Sequence, residues 1–144
     1  MGDFTDEEYW KVIICYGLNQ ATYKIALGKS LVNLCEKQNT RVSWEMLSRE
    51  FLEQYRRRLG ADFQFPQQAD PSKRTFMERE VMKLNAGSVD LDETISNVGK
   101  EGFKDVIHRF HNIPRFEKSK DKFYTFEYGK HIFLKDSLFN VIEK

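Results

Sequence analysis

Apolar positions recur at helical spacing along the first half of the chain. Thr5-Asp6-Glu7-Glu8 has the form of a capping box, in which the threonine hydroxyl accepts from first-turn amides and the glutamate three residues on reaches back. The acids also suit the positive end of a helix dipole. The helix opened there runs to about Tyr16, with Tyr9, Ile13 and Tyr16 on one face, Trp10 and Ile14 on its flank, and Gly17 as the stop. Asn19 caps a second helix, whose Tyr23, Leu27, Leu31 and Leu34 form one stripe; Lys24 and Lys37 lie off it. A link through Gln38, Asn39 and Thr40 leads to Ser43, the N-cap of a third helix. That helix buries Trp44, Leu47, Phe51 and Tyr55 and closes at Gly60.

Residues 61–71 hold two of the three prolines and little periodicity, and read as an exposed loop. Asp70-Pro71 then supplies the cap and first residue of a helix carrying Phe76, Met77, Val81 and Leu84, which ends near Gly87. Leu91, Ile95 and Val98 continue at helical spacing until Gly99 and Gly102 interrupt them. A short helix presents Phe103, Val106, Ile107 and Phe110 ahead of Pro114. From Phe123 the pattern turns aromatic and β-branched, and predicts a hairpin of Phe123–Glu127 and Lys130–Leu134 about a two-residue Tyr128-Gly129 turn. Asp136 caps a last run with Leu138, Phe139, Val141 and Ile142, too short and too apolar to stand alone. It either docks on the domain or belongs to something longer, and the second is the expectation. The fold class is therefore mostly α with a small C-terminal β-hairpin, a winged-helix-like helical domain. Residues 1–144 are expected to be a single domain, the N-terminal part of a longer protein.

Composition narrows this picture. A chain of 144 residues with 40% hydrophobic and 14% aromatic residues can bury a core and is not a disordered segment. No apolar run approaches the roughly 18–20 residues that cross a bilayer, and the acidic start lacks the features of a secretory signal. Gly2 is not a myristoylation site, because Asp6 stands where a serine or threonine is needed. Cys15 and Cys35 fall in apolar helical runs and read as buried thiols of a cytoplasmic protein. The net charge of +1 is uninformative, but its distribution is not. Residues 21–74 carry ten bases against six acids and residues 106–144 eight against five, while the first 20 residues and residues 75–105 are acidic.

No catalytic constellation emerges, and neither a metal nor a cofactor is expected. His108 and His111 are three apart on a helix, which suits a shared ligand, yet no third donor is near and Arg109 lies between them; they read as surface histidines at a helix C-terminus. Glu127-Tyr128-Gly129-Lys130 is one residue too long for a Glu-x-Lys phosphodiesterase signature and crosses a turn. Gly28-Lys29-Ser30 lacks the upstream glycine of a phosphate loop and lies mid-helix. Arg56-Arg57-Arg58 is the best binding feature. Three consecutive helical residues fan over about 200°, so they do not share one surface. Arg58 covers the core edge beside Tyr55, and Arg56 and Arg57 are freer to meet phosphates together with Lys73 and Arg74 beyond the loop. Lys122, with Lys118, Lys120 and Lys130, extends such a patch from the hairpin. The same bases also suit a solvated helix end and an ordinary strand edge.

Three segments resemble the N-terminal region of bacterial HNH-type endonucleases associated with restriction and defence. They are the N-x-A-T-Y-K-x-A-L helix at Asn19–Leu27, the helix from Ser43 through Phe51, Tyr55 and the arginines, and the G-F-x-x-V-I-x-R-F-H segment at Gly102–His111 with its following hairpin and apolar helix. The resemblance implies a catalytic ββα-metal domain C-terminal to this region. The two cysteines lack CxxC spacing and there is no His-Asn-His pattern, so no family catalytic residue carries over. The implied role is a non-catalytic DNA-engaging or scaffolding domain of an HNH-type endonuclease or phage-defence protein. The rivals are a stand-alone winged-helix transcription regulator reading bases with the Ser43–Leu59 helix, and a protein-interaction module or homo-oligomer using exposed aromatics and the final helix. No reading involves a membrane.

Overall fold

The computed structural model describes residues 5–16, 21–37, 39–60, 75–111 and 121–142. They form helices α1 (Asp6–Tyr16), α2 (Ala21–Glu36), α3 (Trp44–Leu59), α4 (Phe76–Asn85), α5 (Leu91–Asn97), α6 (Lys104–Arg109) and α7 (Asp136–Ile142), with a π turn at Val98–Gly102 joining α5 to α6. Strands β1 (Arg41–Ser43), β2 (Tyr124–Glu127) and β3 (His131–Leu134) make an antiparallel sheet in the order β1-β3-β2. The chain is mostly helical with a small sheet near its C-terminus. No helix among the described residues is long and apolar enough to cross a membrane.

The local signals act where expected. Glu8 N–H donates to Thr5 Oγ1 at 3.1 Å and Thr5 N–H to Glu8 Oε1 at 2.9 Å, closing the capping box of α1. Ser43 caps α3 by accepting from Met46 N–H at 3.1 Å. Tyr9, Ile13, Leu27, Leu31, Leu34, Trp44, Leu47, Phe51 and Tyr55 are all buried in one hydrophobic core. Gly28 allows close helix packing there: a Cβ on it would lie 2.9 Å from Ile14 Cδ1 and 3.8 Å from Phe110 Cε1. Expectations placed on Gly17, Asn19, Gln38, the 61–71 loop, Asp70-Pro71 and Pro114 lie outside the described residues.

Several expectations are corrected. α4 begins at Phe76, where Thr75 and Glu78 form a reciprocal capping box (3.1 and 3.2 Å) that the sequence reading did not include. The hairpin has a third strand beside it. β1 pairs Val42 with Ile132 on β3, and the ladder extends through Leu134 N–H to Thr40 O at 2.7 Å and Trp44 N–H to Lys130 O at 2.9 Å. The turn spans Tyr128–Lys130, with Glu127 opposite His131 and Gly129 at φ 80°. Asp136 lies inside α7 and not at its cap. α7 docks on α1 and α2, burying Leu138.

Three side chains also depart from expectation. Cys15 is exposed, since it stands about 200° round α1 from the buried Ile13; Cys35 is buried. Lys24, off the apolar stripe, is nonetheless only 3% exposed, because α2 is packed by α1, α3, α6 and α7 at once. Its ammonium lies 5.9 Å from the centroid of the Phe110 ring, and burial lowers its pKa. His111 is buried rather than on the surface, and its Nε2 accepts from Phe123 N–H at 3.0 Å, joining the end of α6 to the start of the sheet.

At the π turn, Gly99 carries the closest approach. Trp44 Nε1–H donates to Gly99 O at 2.7 Å, and a Cβ on Gly99 would meet Ser48 Oγ at 2.8 Å and Trp44 Cδ1 at 3.3 Å. Gly99→Ala is therefore expected to destabilise the fold by about 1–3 kcal/mol through overpacking, measured by urea denaturation; an unchanged midpoint would contradict this account. Burial, then the charges of Lys135 and Lys24, push His111 down to about 3 from 6.5. Below pH 6.5 the unfolded chain binds a proton that the folded one refuses, so stability is full above that pH and is lost as pH falls toward 3. At about 1.4 kcal/mol per pKa unit the loss by pH 3 is on the order of 5 kcal/mol, and by pH 4 about 3 kcal/mol. His111→Gln should flatten the stability difference between pH 7 and pH 4 by about 3 kcal/mol, read from urea titrations at the two pH values.

Candidate anion-binding groove

α2 and α3 run antiparallel. Lys37, just past the end of α2, reaches Glu50 at 3.0 Å, whereas Tyr23 near its start packs on Tyr55, with ring centroids 5.7 Å apart. The basic C-terminal end of α3 therefore lies beside the first half of α2. Two adjoining hollows open along this seam, of about 440 and 420 Å³, and both are bordered by Ile25, Lys29, Gln54 and Arg57. Ile25 and Lys29 are one turn apart on α2, and Gln54 and Arg57 one turn apart on α3, so each helix offers one apolar or neutral contact and one cation. Arg58 borders the first hollow, and its guanidinium carbon lies 5.6 Å from the Tyr55 ring centroid. Its guanidinium thus lies over the Tyr55 ring at the edge of the groove.

Among the described residues no carboxylate lines either hollow. Two of the three acids of α3 are engaged elsewhere: Glu50 holds Lys37 and Asn33, and Glu53 holds Arg56 at 2.8 Å, while Glu45 lies in the first turn at the far end of the helix. Lys29, Arg57 and Arg58 consequently set up a local positive field that no carboxylate among the described lining cancels. Gln54 Nε2 is buried there without an acceptor among the described residues.

Of the phosphate contacts expected from sequence, Arg57 lines the groove. Arg56 is turned to Glu53 and is less free than expected. Lys122 is half-buried at the base of the hairpin, 3.0 Å from Asp6 and 4.8 Å above the Tyr9 ring, where it ties the sheet to α1. Lys73 and Arg74 lie outside the described residues. Sequence reasoning missed Lys29 and Gln54. A signal existed for Lys29: Ile25, off the buried stripe and one turn before it, is 43% exposed and marks that side of α2 as open.

The remaining candidates separate. His108 is exposed and stacks on Tyr128, with centroids 5.9 Å apart and planes 9° apart, while His111 is buried, so the two share no ligand position. No cluster of three or more potential metal ligands exists among the described residues. Gly28-Lys29-Ser30 is helical throughout, with Ser30 Oγ donating to Ala26 O. Lys130 pairs with Glu127 at 3.4 Å across the turn. The chain matches no protein-family model, no curated protein and no solved structure.

An exposed pair such as Arg56–Glu53 contributes little to stability, so Arg56→Ala should shift the unfolding free energy by less than about 0.5 kcal/mol. A urea titration of the variant checks this, and a larger loss would show that Arg56 has a structural role.

Proposed function

We propose that this chain is a non-catalytic DNA-engaging domain of an HNH-type endonuclease or phage-defence protein, acting in the cytoplasm. The observation that carries the reading is the convergence of Lys29, Arg57 and Arg58 on one groove with no carboxylate among its described lining. Cations with no carboxylate among the described lining favour a polyanion, and a duplex backbone is the extended polyanion such a seam would follow. The connectivity adds support. A helix, a short strand and a second helix (α2, β1, α3) are followed by a hairpin whose second strand lies between the other two, a winged-helix-like arrangement. The resemblance of Asn19–Leu27 and Gly102–His111 to HNH-associated proteins supplies the parent class.

Two rivals are less favoured. A base-reading role for α3 competes with burial of Trp44, Leu47, Phe51, Leu52 and Tyr55 along it. Protein binding through the last helix competes with the docking of α7, whose Leu138 is fully buried.

The test is fluorescence-anisotropy titration of a mixed-sequence duplex at two salt concentrations. Affinity should fall steeply with salt. The double variant Lys29→Ala/Arg57→Ala should reduce the slope of log K against log salt by about 1.8, near 0.9 per lost phosphate contact. Absence of binding at low salt would refute DNA engagement by this domain.

A further inference from the structure

The sheet buries one face and leaves the other open. Val42, Tyr124, Ile132 and Leu134 enter the core, whereas Arg41, Ser43, Thr125, Glu127 and Phe133 are exposed and His131 is half-buried. Phe133 stands on β3, the central strand, opposite Arg41 on one side and Thr125 on the other, and is 38% exposed. A single exposed apolar side chain is ordinary on a protein surface. The surroundings of this one are not. Its ring lies 6.1 Å from the His131 ring with the planes 36° apart, and Arg41 Nη2–H donates to His131 Nε2 at 3.2 Å. Two rings and a guanidinium, all planar, therefore lie side by side across two strands.

The polar setting narrows the partner. An apolar protein surface would meet one large apolar side chain here, and would have to desolvate Arg41, Ser43 and Thr125 around it. Nucleic-acid bases need only planar faces to stack on, with water and charge retained between them. The charge agrees. Glu127, the acid of this face among the described residues, pairs with Lys130 at 3.4 Å, and Arg41 has no carboxylate partner among the described residues. We propose that Phe133, His131 and Arg41 form a stacking platform for single-stranded DNA, in which successive bases lie on the two rings and Arg41 meets the phosphate between them. None of the three lines the α2–α3 groove, so the platform is a separate contact; the choice of DNA rests on the DNA-engaging reading.

The test is anisotropy titration of a labelled oligothymidylate of about twelve nucleotides, alongside the duplex. Phe133→Thr keeps a β-branched residue on the strand and removes the ring. It should weaken oligothymidylate binding about ten-fold, leave the salt slope unchanged and spare duplex binding, whereas Phe133→Tyr should bind like the parent chain. Arg41→Ala should lower the slope by about 0.7, the single-strand value for one phosphate. A urea titration of Phe133→Thr, with a midpoint close to that of the parent, separates lost binding from lost folding. If the chain binds duplex but no oligothymidylate at low salt, or if Phe133→Thr binds it like the parent, the platform is overturned and the DNA-engaging reading stands. Oligothymidylate binding that requires Phe133, in a chain that binds no duplex, keeps the platform and removes the groove reading. A dimer in sedimentation that Phe133→Thr disperses, with neither nucleic acid bound, overturns the platform and gives this face to a second copy of the chain.

Discussion

Trp44 follows β1 directly and opens α3, so one residue belongs to the sheet through its amide and to the helical core through its ring. Its N–H donates to Lys130 O at 2.9 Å in the hairpin turn, and its indole N–H donates to Gly99 O at 2.7 Å in the π turn. The ring packs against Phe103, Phe126 and Tyr128 at centroid distances of 5.2, 6.3 and 4.9 Å. Tyr128 O–H in turn donates to Lys100 O at 3.0 Å. Two adjacent carbonyls of the π turn thus hold the polar ends of two aromatic side chains, one from the start of α3 and one from the tip of the hairpin. A largely buried indole must pair its N–H, and meeting that demand sets the sheet against α3 and α3 against α5.

With its first turn held in this way, α3 can project its far end along α2. The charges on α3 are then sorted by position. Glu50 and Glu53 have local partners in Lys37 and Arg56, and the cations without such partners in the groove gather near the C-terminus of the helix. There the helix dipole favours them, which offsets part of their mutual repulsion. A molecule with a formal net charge of +1 has no global field to steer a polyanion; a groove of three cations has a local one, and it acts within about a Debye length of the surface, near 8 Å at physiological salt.

The opposite end of the molecule is held by a different set of contacts. Lys122 bridges to Asp6, Asn140 Nδ2 donates to Asp6 Oδ2 at 3.0 Å, and Ser137 Oγ donates to Lys122 O. These join the first helix, the base of the hairpin and the last helix. His111 adds a buried link from α6 to Phe123 that depends on its staying neutral. A lysine expected to meet phosphate is thereby engaged in closing the fold, and a histidine expected at the surface becomes part of the core.

What the sequence determined by itself is whatever depends on near neighbours: the capping box of α1, the Ser43 cap of α3, the stripes of α2 and α3, the aromatic hairpin and the basic run at Arg56–Arg58. These rest on interactions within three or four residues, and local chemistry settles them. β1 escaped because three residues are too few to show alternation, and its pairing partner lies ninety positions away, as Arg41 opposite Phe133 and Ser43 opposite His131 show. Lys24 and His111 escaped because their burial comes from the number of elements packed around them, which no single helical face displays. The groove has the same character. Arg57 and Arg58 were legible on one helix, but Lys29 and Gln54 became members only when α2 and α3 packed antiparallel, because side chains of two helices converge across a seam that exists only in the folded chain.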